Sequence, residues 1–502
     1  MSAAPPGPGQ GPRRPGIQYD IVAIVYCTAV LAFAVARAFL VPITHDEAFT
    51  FLHWSSAPWR AVISFDGPGP ANNHLLNTIL MKLSARLLDS GEASLRLPNL
   101  LALASYLASL WLLLRRHAPP VLALSGLVLA SANRHLLELF SLARGYGLCL
   151  GLILPALLLA SLTIEKADSP RRNEWLALSL LYFAVLSQFI ALDVFAAMAV
   201  ILVIVHAVRA RDARSGPILL RRFGRRLVPL LVTSAALAMG LTGILWRIGK
   251  SGGFYAGGTT GLWHDTVENL VWLTLLPAPW LGRFEKPLLL FVAGSLVLVS
   301  WAGIRLLFRR QRSPSDLVAL AFVSLLALTA LTVKLQSLLL GLRYPTDRIA
   351  TIFIPLFALA VTLGAATAPP AARKAATALL GGLALLGSIH LLRVADTNRS
   401  ALWWFDADVR LVISDLDEYT RREGRTRPTR VGSISHCEPA LNYIRVVEGL
   451  YWLAPVERLE TDRWDYDLCY VTEAEATEAG RRGFSVLRRY PRTGNLLLLP
   501  PR

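Results

Sequence analysis

Thr44-His45-Asp46-Glu47 and Ala71-Asn72-Asn73-His74 bracket the segment 43–74, which separates a first apolar run, Ile21 to Pro42, from an amphipathic one, Leu75 to Arg86. The first run is long enough to cross a bilayer, and two adjacent carboxylates stand at its exit. Ions beside hydrocarbon lose hydration, so carboxylates in that position face water or a site rather than lipid. The segment reads as the floor of a site. The chain around it reads as membrane-embedded.

Composition agrees. Of 502 residues, 54% are hydrophobic and only 17% charged, with a mean hydropathy of +0.47; a soluble domain carries about a quarter charged residues. Runs able to cross about 30 Å of hydrocarbon recur through the first 395 residues. Residues 175–206 are divided by Gln188 and Asp193. They read as two short spans, because the basic stretches on either side should share a compartment and so need an even number of crossings. A span from Val121 to Leu137 is expected, with 134–144 as an outer loop. The count predicts about eleven transmembrane helices in an α-helical polytopic membrane protein, with the inner (plasma) membrane as its expected location. The net charge of +17 is spread over short loops between apolar runs. That is the positive-inside pattern, and no contiguous basic face for nucleic acid is visible.

Three regions follow. Residues 1–19, rich in Pro and Gly, read as a disordered cytoplasmic tail. Residues 20–395 form the transmembrane domain. Residues 396–502 turn polar and read as a small extracytoplasmic α/β domain, with strands at 430–434, 467–472 and 495–499 and a helix at 439–448. Leu75 to Arg86 reads as a helix lying along the interface. Cys27 and Cys149 fall in apolar runs as packing residues. Cys437 and Cys469 fall in the polar region, where export would allow a disulfide between them or leave two thiols.

Four elements share the expected outer side: His45-Asp46-Glu47, Asn72-Asn73-His74, Leu142 to Tyr146, and Arg343 to Arg348. They offer a candidate base, amide donors and fixed cations. Such a set suits transfer of a group from a phosphate to a hydroxyl. A carboxylate takes the acceptor proton, and cations stabilise charge growing on the departing phosphate. Arginine is apt because its planar fork grips two oxygens.

In order along the chain stand His45-Asp46-Glu47-Ala48, Asn73-His74 before an apolar helix, Leu95-Arg96-Leu97-Pro98 opening the second span, Ala143-Arg144-Gly145-Tyr146, and Arg343-Tyr344-Pro345. With these motifs the chain resembles the GT-C fold glycosyltransferases over residues 20–395, and among them the group that uses polyprenyl-phosphate donors. That group includes protein O-mannosyltransferases, aminoarabinose transferases acting on lipid A, and core-sugar transferases of rhizobial lipopolysaccharide. The family usually carries proline after its Asn-His pair, where this chain has Leu75.

The resemblance implies an inverting glycosyltransferase. It would move a hexose or pentose from a polyprenyl-phosphate-linked donor to a cell-envelope glycan, lipid or exported protein on the extracytoplasmic side. Asp46 matches the catalytic base. Glu47 would assist it, bind a divalent cation, or pair with an arginine, and His45 would orient its neighbours. A metal requirement stays open, with Asp46 and Glu47 as ligands if one exists. Asn73 and His74 would bond sugar or phosphate, or else cap the next helix. Arg144, Tyr146, Arg343, Tyr344 and Arg348 would bind the donor, the bland alternative for the arginines being interfacial snorkelling. His264 lies in a loop that could cover the site. The competing class is a transporter or flippase of lipid-linked sugars. It is disfavoured because ionisable residues cluster at the outer interface, and Asp193 alone falls inside an apolar run.

Overall fold

A computed structural model of the chain describes residues 16–212, 216–251, 257–275, 279–434, 436–460 and 464–501. Residues 1–15 of the expected tail lie outside the described residues, and the first helix runs Ile17–Leu40.

Among the described residues, nine helices are long and apolar enough to cross a membrane. Two further features bear on the expected count. Pro120–Ser131 and Arg134–Phe140 form a pair bent by 68°. Arg171–Ser187 has 17 residues, about 26 Å at 1.5 Å per residue, the lower limit of a span. The divided 175–206 region is indeed two helices, Arg171–Ser187 and Ala191–Asp212. Asp193 sits in the first turn of the second, where the Gln336 amide donates to its Oδ1 at 2.7 Å.

The expected loop at 134–144 is corrected. Arg134–Phe140 is a helix with every residue buried. Asn133 starts it: its side-chain oxygen accepts the Leu136 N–H at 3.1 Å, which satisfies a donor the first turn leaves open. The charged letters Arg134, His135 and Glu138 suggest a surface loop, but in a membrane protein polar residues can turn inward.

The chain divides into two compact units. The first comprises residues 1–32, 99–140 and 145–395 and holds most of the membrane helices. Small residues set its helix contacts. A Cβ on Gly151 would lie 2.5 Å from that of Ala102, and one on Gly126 would lie 2.7 Å from the Thr362 hydroxyl. Such close backbone approach is how apolar helices gain contact where lipid is as oily as leucine.

The second unit comprises residues 33–98, 141–144 and 396–502. Its core gathers Ile43, Ala48, Met81, Leu95 and Ala143 with Val409, Val412, Leu416, Val431, Leu441 and Leu468. The 43–74 segment and the polar region thus share one apolar interior. A five-stranded sheet is built from β1 (Val431–Ser433), β2 (Glu457–Arg458), β3 (Leu468–Val471), β4 (Ser485–Arg489) and β5 (Leu496–Leu499), in the order β2-β1-β3-β5-β4. β1 pairs parallel with β2 and β3, while β5 is antiparallel to β3 and β4. The three strands and one helix expected from sequence are present. They are joined by helices Val409–Arg422 and Glu473–Arg481 and by strands β2 and β4. Cys437 and Cys469 are buried free thiols, not a disulfide, and the Cys437 thiol donates to the Phe405 carbonyl.

Candidate active site

The second unit brings Asp46, Glu47, His74 and Arg144 together, and the local chain explains how. Thr44 precedes a five-residue helix, His45–Phe49, that runs on as a π-helical turn, Thr50–Ser55. The Thr44 N–H and hydroxyl both donate to Glu47 Oε2, at 3.0 and 2.9 Å. This is a capping box, in which a residue at the third helical position returns to the residue that starts the helix. Adjacent positions on a helix point about 100° apart, so fixing Glu47 inward turns Asp46 to another face.

Glu47 is fully buried and so is Arg96. Arg96 holds it by both edges: Nε donates to Oε1 at 2.8 Å and a terminal nitrogen donates to Oε2 at 2.7 Å. The Ala143 N–H also donates to Oε1, at 2.6 Å. The rest of the guanidinium donates to the carbonyls of Ala38, Val41 and Pro42. Burial pushes the Glu47 carboxyl up, but Arg96 and the N–H donors outweigh it and hold it below the usual carboxylate range. Five donors converge on its two oxygens. Of the roles open to Glu47, pairing with an arginine is the one its surroundings display. Both Glu47 oxygens are thus occupied by donors of the protein itself. Among the described residues, no group of three or more His, Cys, Asp or Glu side chains is placed to hold a metal ion.

Asp46 keeps an edge toward solvent, its side chain 13% exposed against 1% for Arg144. A terminal nitrogen of Arg144 lies 3.2 Å from Asp46 Oδ2. The same guanidinium donates to Asn72 Oδ1 at 2.6 Å and to Thr50 Oγ1 at 3.1 Å, and it stands 3.0 Å from His74 Nε2. The 43–74 segment and Arg144 therefore form a single hydrogen-bonded cluster around the Asp46 carboxylate. Asn73 does something else: its amide donates to the Val62 carbonyl at 2.9 Å and braces the segment. Asn72, one position earlier, is the amide that touches Arg144.

Asp406 is a further member that sequence reasoning passed over. It is 2% exposed, and its Oδ2 accepts the His45 N–H at 2.6 Å, at the start of the helix carrying Asp46. The His45 ring nitrogen Nδ1 stands 2.7 Å from the His436 carbonyl, and burial pushes the imidazole below its ordinary value. Burial also pushes the Asp406 carboxyl well above the usual carboxylate range; the His45 N–H opposes this, and Asp46 and Glu47 add to it. A carboxyl raised in the folded state contributes most below its unfolded value and loses that contribution as pH rises through the folded one. Asp406→Asn keeps an acceptor for His45 and cannot ionise. It is therefore expected to flatten the fall in melting temperature as pH rises from the carboxyl's unfolded value through its folded one, relative to wild type, read from paired thermal melts across pH.

The first unit holds the remaining expected residues. Arg348 lies over the Tyr146 ring at 5.9 Å. The Tyr344 hydroxyl accepts from Lys334 Nζ at 2.8 Å, and its backbone pairs with Gly258. Arg343 is exposed. Its neighbour Asp347 has φ +47°, and Phe65 of the 43–74 segment has φ +56°; among the described residues these are the two non-glycine positions in the left-handed region. Such backbone is held only where its surroundings over-determine it, and it gathers at sites. His264 is 66% exposed and pairs with Glu268 at 2.5 Å.

Among the described residues the chain thus combines nine helices long and apolar enough to cross a membrane with a five-stranded sheet in its second unit. The chain is similar to the apo crystal structure of ArnT from Cupriavidus metallidurans, with a TM-score of 0.53 and 10% identity over 96% of this chain and 98% of that one. The fold is therefore the GT-C fold. Also similar are the same protein bound to undecaprenyl phosphate (TM-score 0.48, 10% identity, 96% and 98% covered) and the oligosaccharyltransferase of Archaeoglobus fulgidus in complex with zinc and sulfate (0.41, 13% identity, 83% and 61% covered). No protein-family model matches the chain, and no curated protein matches it significantly.

Proposed function

We propose that this protein is an inverting glycosyltransferase. It moves a sugar from a polyprenyl-phosphate-linked donor to a hydroxyl of a cell-envelope acceptor on the extracytoplasmic side of the plasma membrane. The observation that carries this reading is the partly exposed Asp46 carboxylate, fixed by Arg144 amid Asn72, His74 and Thr50 while Glu47 is committed to Arg96. Asp46 takes the proton of the acceptor hydroxyl. The acceptor oxygen bonds to the anomeric carbon from the face opposite the phosphate. The bond from that carbon to the phosphate oxygen breaks, and polyprenyl phosphate leaves with the electron pair. Arg144 supplies positive charge held in place before the reaction, where reorganisation would otherwise cost rate. Glu47 acts as a positioning residue. By the sequence resemblance, Tyr146, Arg343, Tyr344 and Arg348 bind the donor. The charge bias of the loops supports the extracytoplasmic assignment.

The test uses the full chain in detergent with a synthetic polyprenyl-phosphate sugar and envelope acceptors. Equal amounts of freed polyprenyl phosphate and glycosylated product are expected, with the anomeric configuration opposite to the donor's. A retained configuration rejects the single-displacement route. Translocation of the sugar-lipid across proteoliposomes without transfer rejects the enzyme reading in favour of a flippase.

A further inference from the structure

In the first unit, five helix ends surround a cavity of about 880 Å³, within the size range of small-ligand pockets. Helices Glu92–His117, Glu285–Phe308 and Phe353–Ala366 end there, while Pro314–Leu340 and Pro370–Val394 begin there. Arg305, Arg309 and Arg373 line it, against a single carboxylate, Asp316. That carboxylate is occupied: its Oδ2 accepts from Arg309 and from the Ser313 N–H, each at 2.9 Å. The lining is thus net cationic.

Two side chains in it hold buried nitrogens that have no hydrogen-bond partner among the described residues. His117 is 4% exposed, and among the described residues neither of its ring nitrogens has a hydrogen-bond partner. Arg305 is anchored through a terminal nitrogen to the Thr367 carbonyl, yet its Nε has no partner among the described residues. Buried donors are nearly always satisfied, so such groups call for a ligand or ordered water. The Pro370–Val394 helix has no side-chain cap, which leaves first-turn N–H groups at the positive end of its dipole. Donors, net positive charge and an uncapped helix start together ask for an anion with several oxygens.

We propose that this cavity is a binding site for a phosphate group. Exposed Phe308 and Leu307 beside it suit a phosphate carried on an anionic phospholipid, as basic pockets between membrane helices do. The charge bias of the sequence assigns its loops to the cytosolic side. The site is separate from the glycosyl-transfer reading, and the two stand or fall on different measurements.

Native mass spectrometry of the full chain in detergent tests it, with phosphatidylglycerol, phosphatidylcholine and glycerol 3-phosphate as probes. Phosphatidylglycerol should be retained and phosphatidylcholine lost. Arg373→Gln should weaken retention by about fivefold, the effect of one basic residue near an anionic lipid, with an unchanged melting temperature and unchanged sugar transfer. His117→Ala should weaken it as well. Displacement of the lipid by equimolar glycerol 3-phosphate would support the site and identify a soluble phosphate ester as its source. Equal retention of the two lipids, or retention untouched by both substitutions, overturns the proposal.

Discussion

Asp46→Asn is expected to abolish most sugar transfer, by about 10²- to 10⁴-fold, the usual worth of a positioned general base, with little change in melting temperature. Asparagine keeps the shape of the side chain and an oxygen for the Arg144 donor now 3.2 Å away. Arg144 also retains Asn72, Thr50, the Asp46 carbonyl and the His74 ring, so the cluster has no reason to collapse. What disappears is the capacity to accept a proton. Donor binding, measured by titration with a non-hydrolysable polyprenyl-phosphonate sugar, should stay near wild type, so the loss belongs in kcat rather than KM. An Asp46→Asn protein that folds and turns over at the wild-type rate would remove Asp46 from the chemistry. Arg144→Lys separates charge from geometry in the same assay. Lysine keeps the charge but cannot reach Asp46, Asn72 and Thr50 with one planar group, so it should recover only part of the rate.

The parts of this site legible in sequence were those whose cost shows in the letters themselves. A carboxylate pair at a membrane edge is conspicuous because hydrocarbon makes it expensive, which singles out Asp46 and Glu47, whereas Arg144 stands out only through its motif and the chemistry of a planar cation. Arg134–Phe140 misled for the same reason: its charged residues suggest a surface, and only packing shows them buried. Glu47 was visible, but its role was not, since its partner Arg96 lies 49 positions away. Of the two adjacent amides, Asn73 donates to the Val62 carbonyl and Asn72 accepts from Arg144, a difference of one position that the letters do not display. Asp406 could not be found at all. Its meaning depends on a segment that follows every membrane helix returning to the start of His45–Phe49. In the sheet, β3 and β5 are mostly buried and read as apolar runs, β1 is a buried Val-Gly-Ser, and β4 is exposed along its whole length and carries no such signal.

Glu47→Gln separates the two roles that adjacent carboxylates invite. If Glu47 positions rather than reacts, the substitution acts on stability. Removing one partner of a buried ion pair leaves an uncompensated charge and typically costs about 3–5 kcal/mol, and Glu47 and Arg96 are both fully buried. An amide would also turn N–H donors toward the N–H groups of Thr44 or Ala143, which now donate to the carboxylate at 3.0 and 2.6 Å. The expected result is a large drop in melting temperature in detergent and a low yield of folded protein, with the surviving fraction retaining substantial turnover per folded molecule. Lowering the pH should erode the same contribution in wild type. The carboxyl is held below its ordinary value in the folded state, so the stability it gives is present above the unfolded value and lost as pH falls through the folded one. A double-mutant cycle with Arg96→Met isolates the pair. The second substitution should cost much less in the Glu47→Gln background than in wild type, because the first has already broken the contact. A Glu47→Gln protein with wild-type melting and no turnover would mean the reverse: the chemistry would then run through Glu47, and Asp46 would be its neighbour.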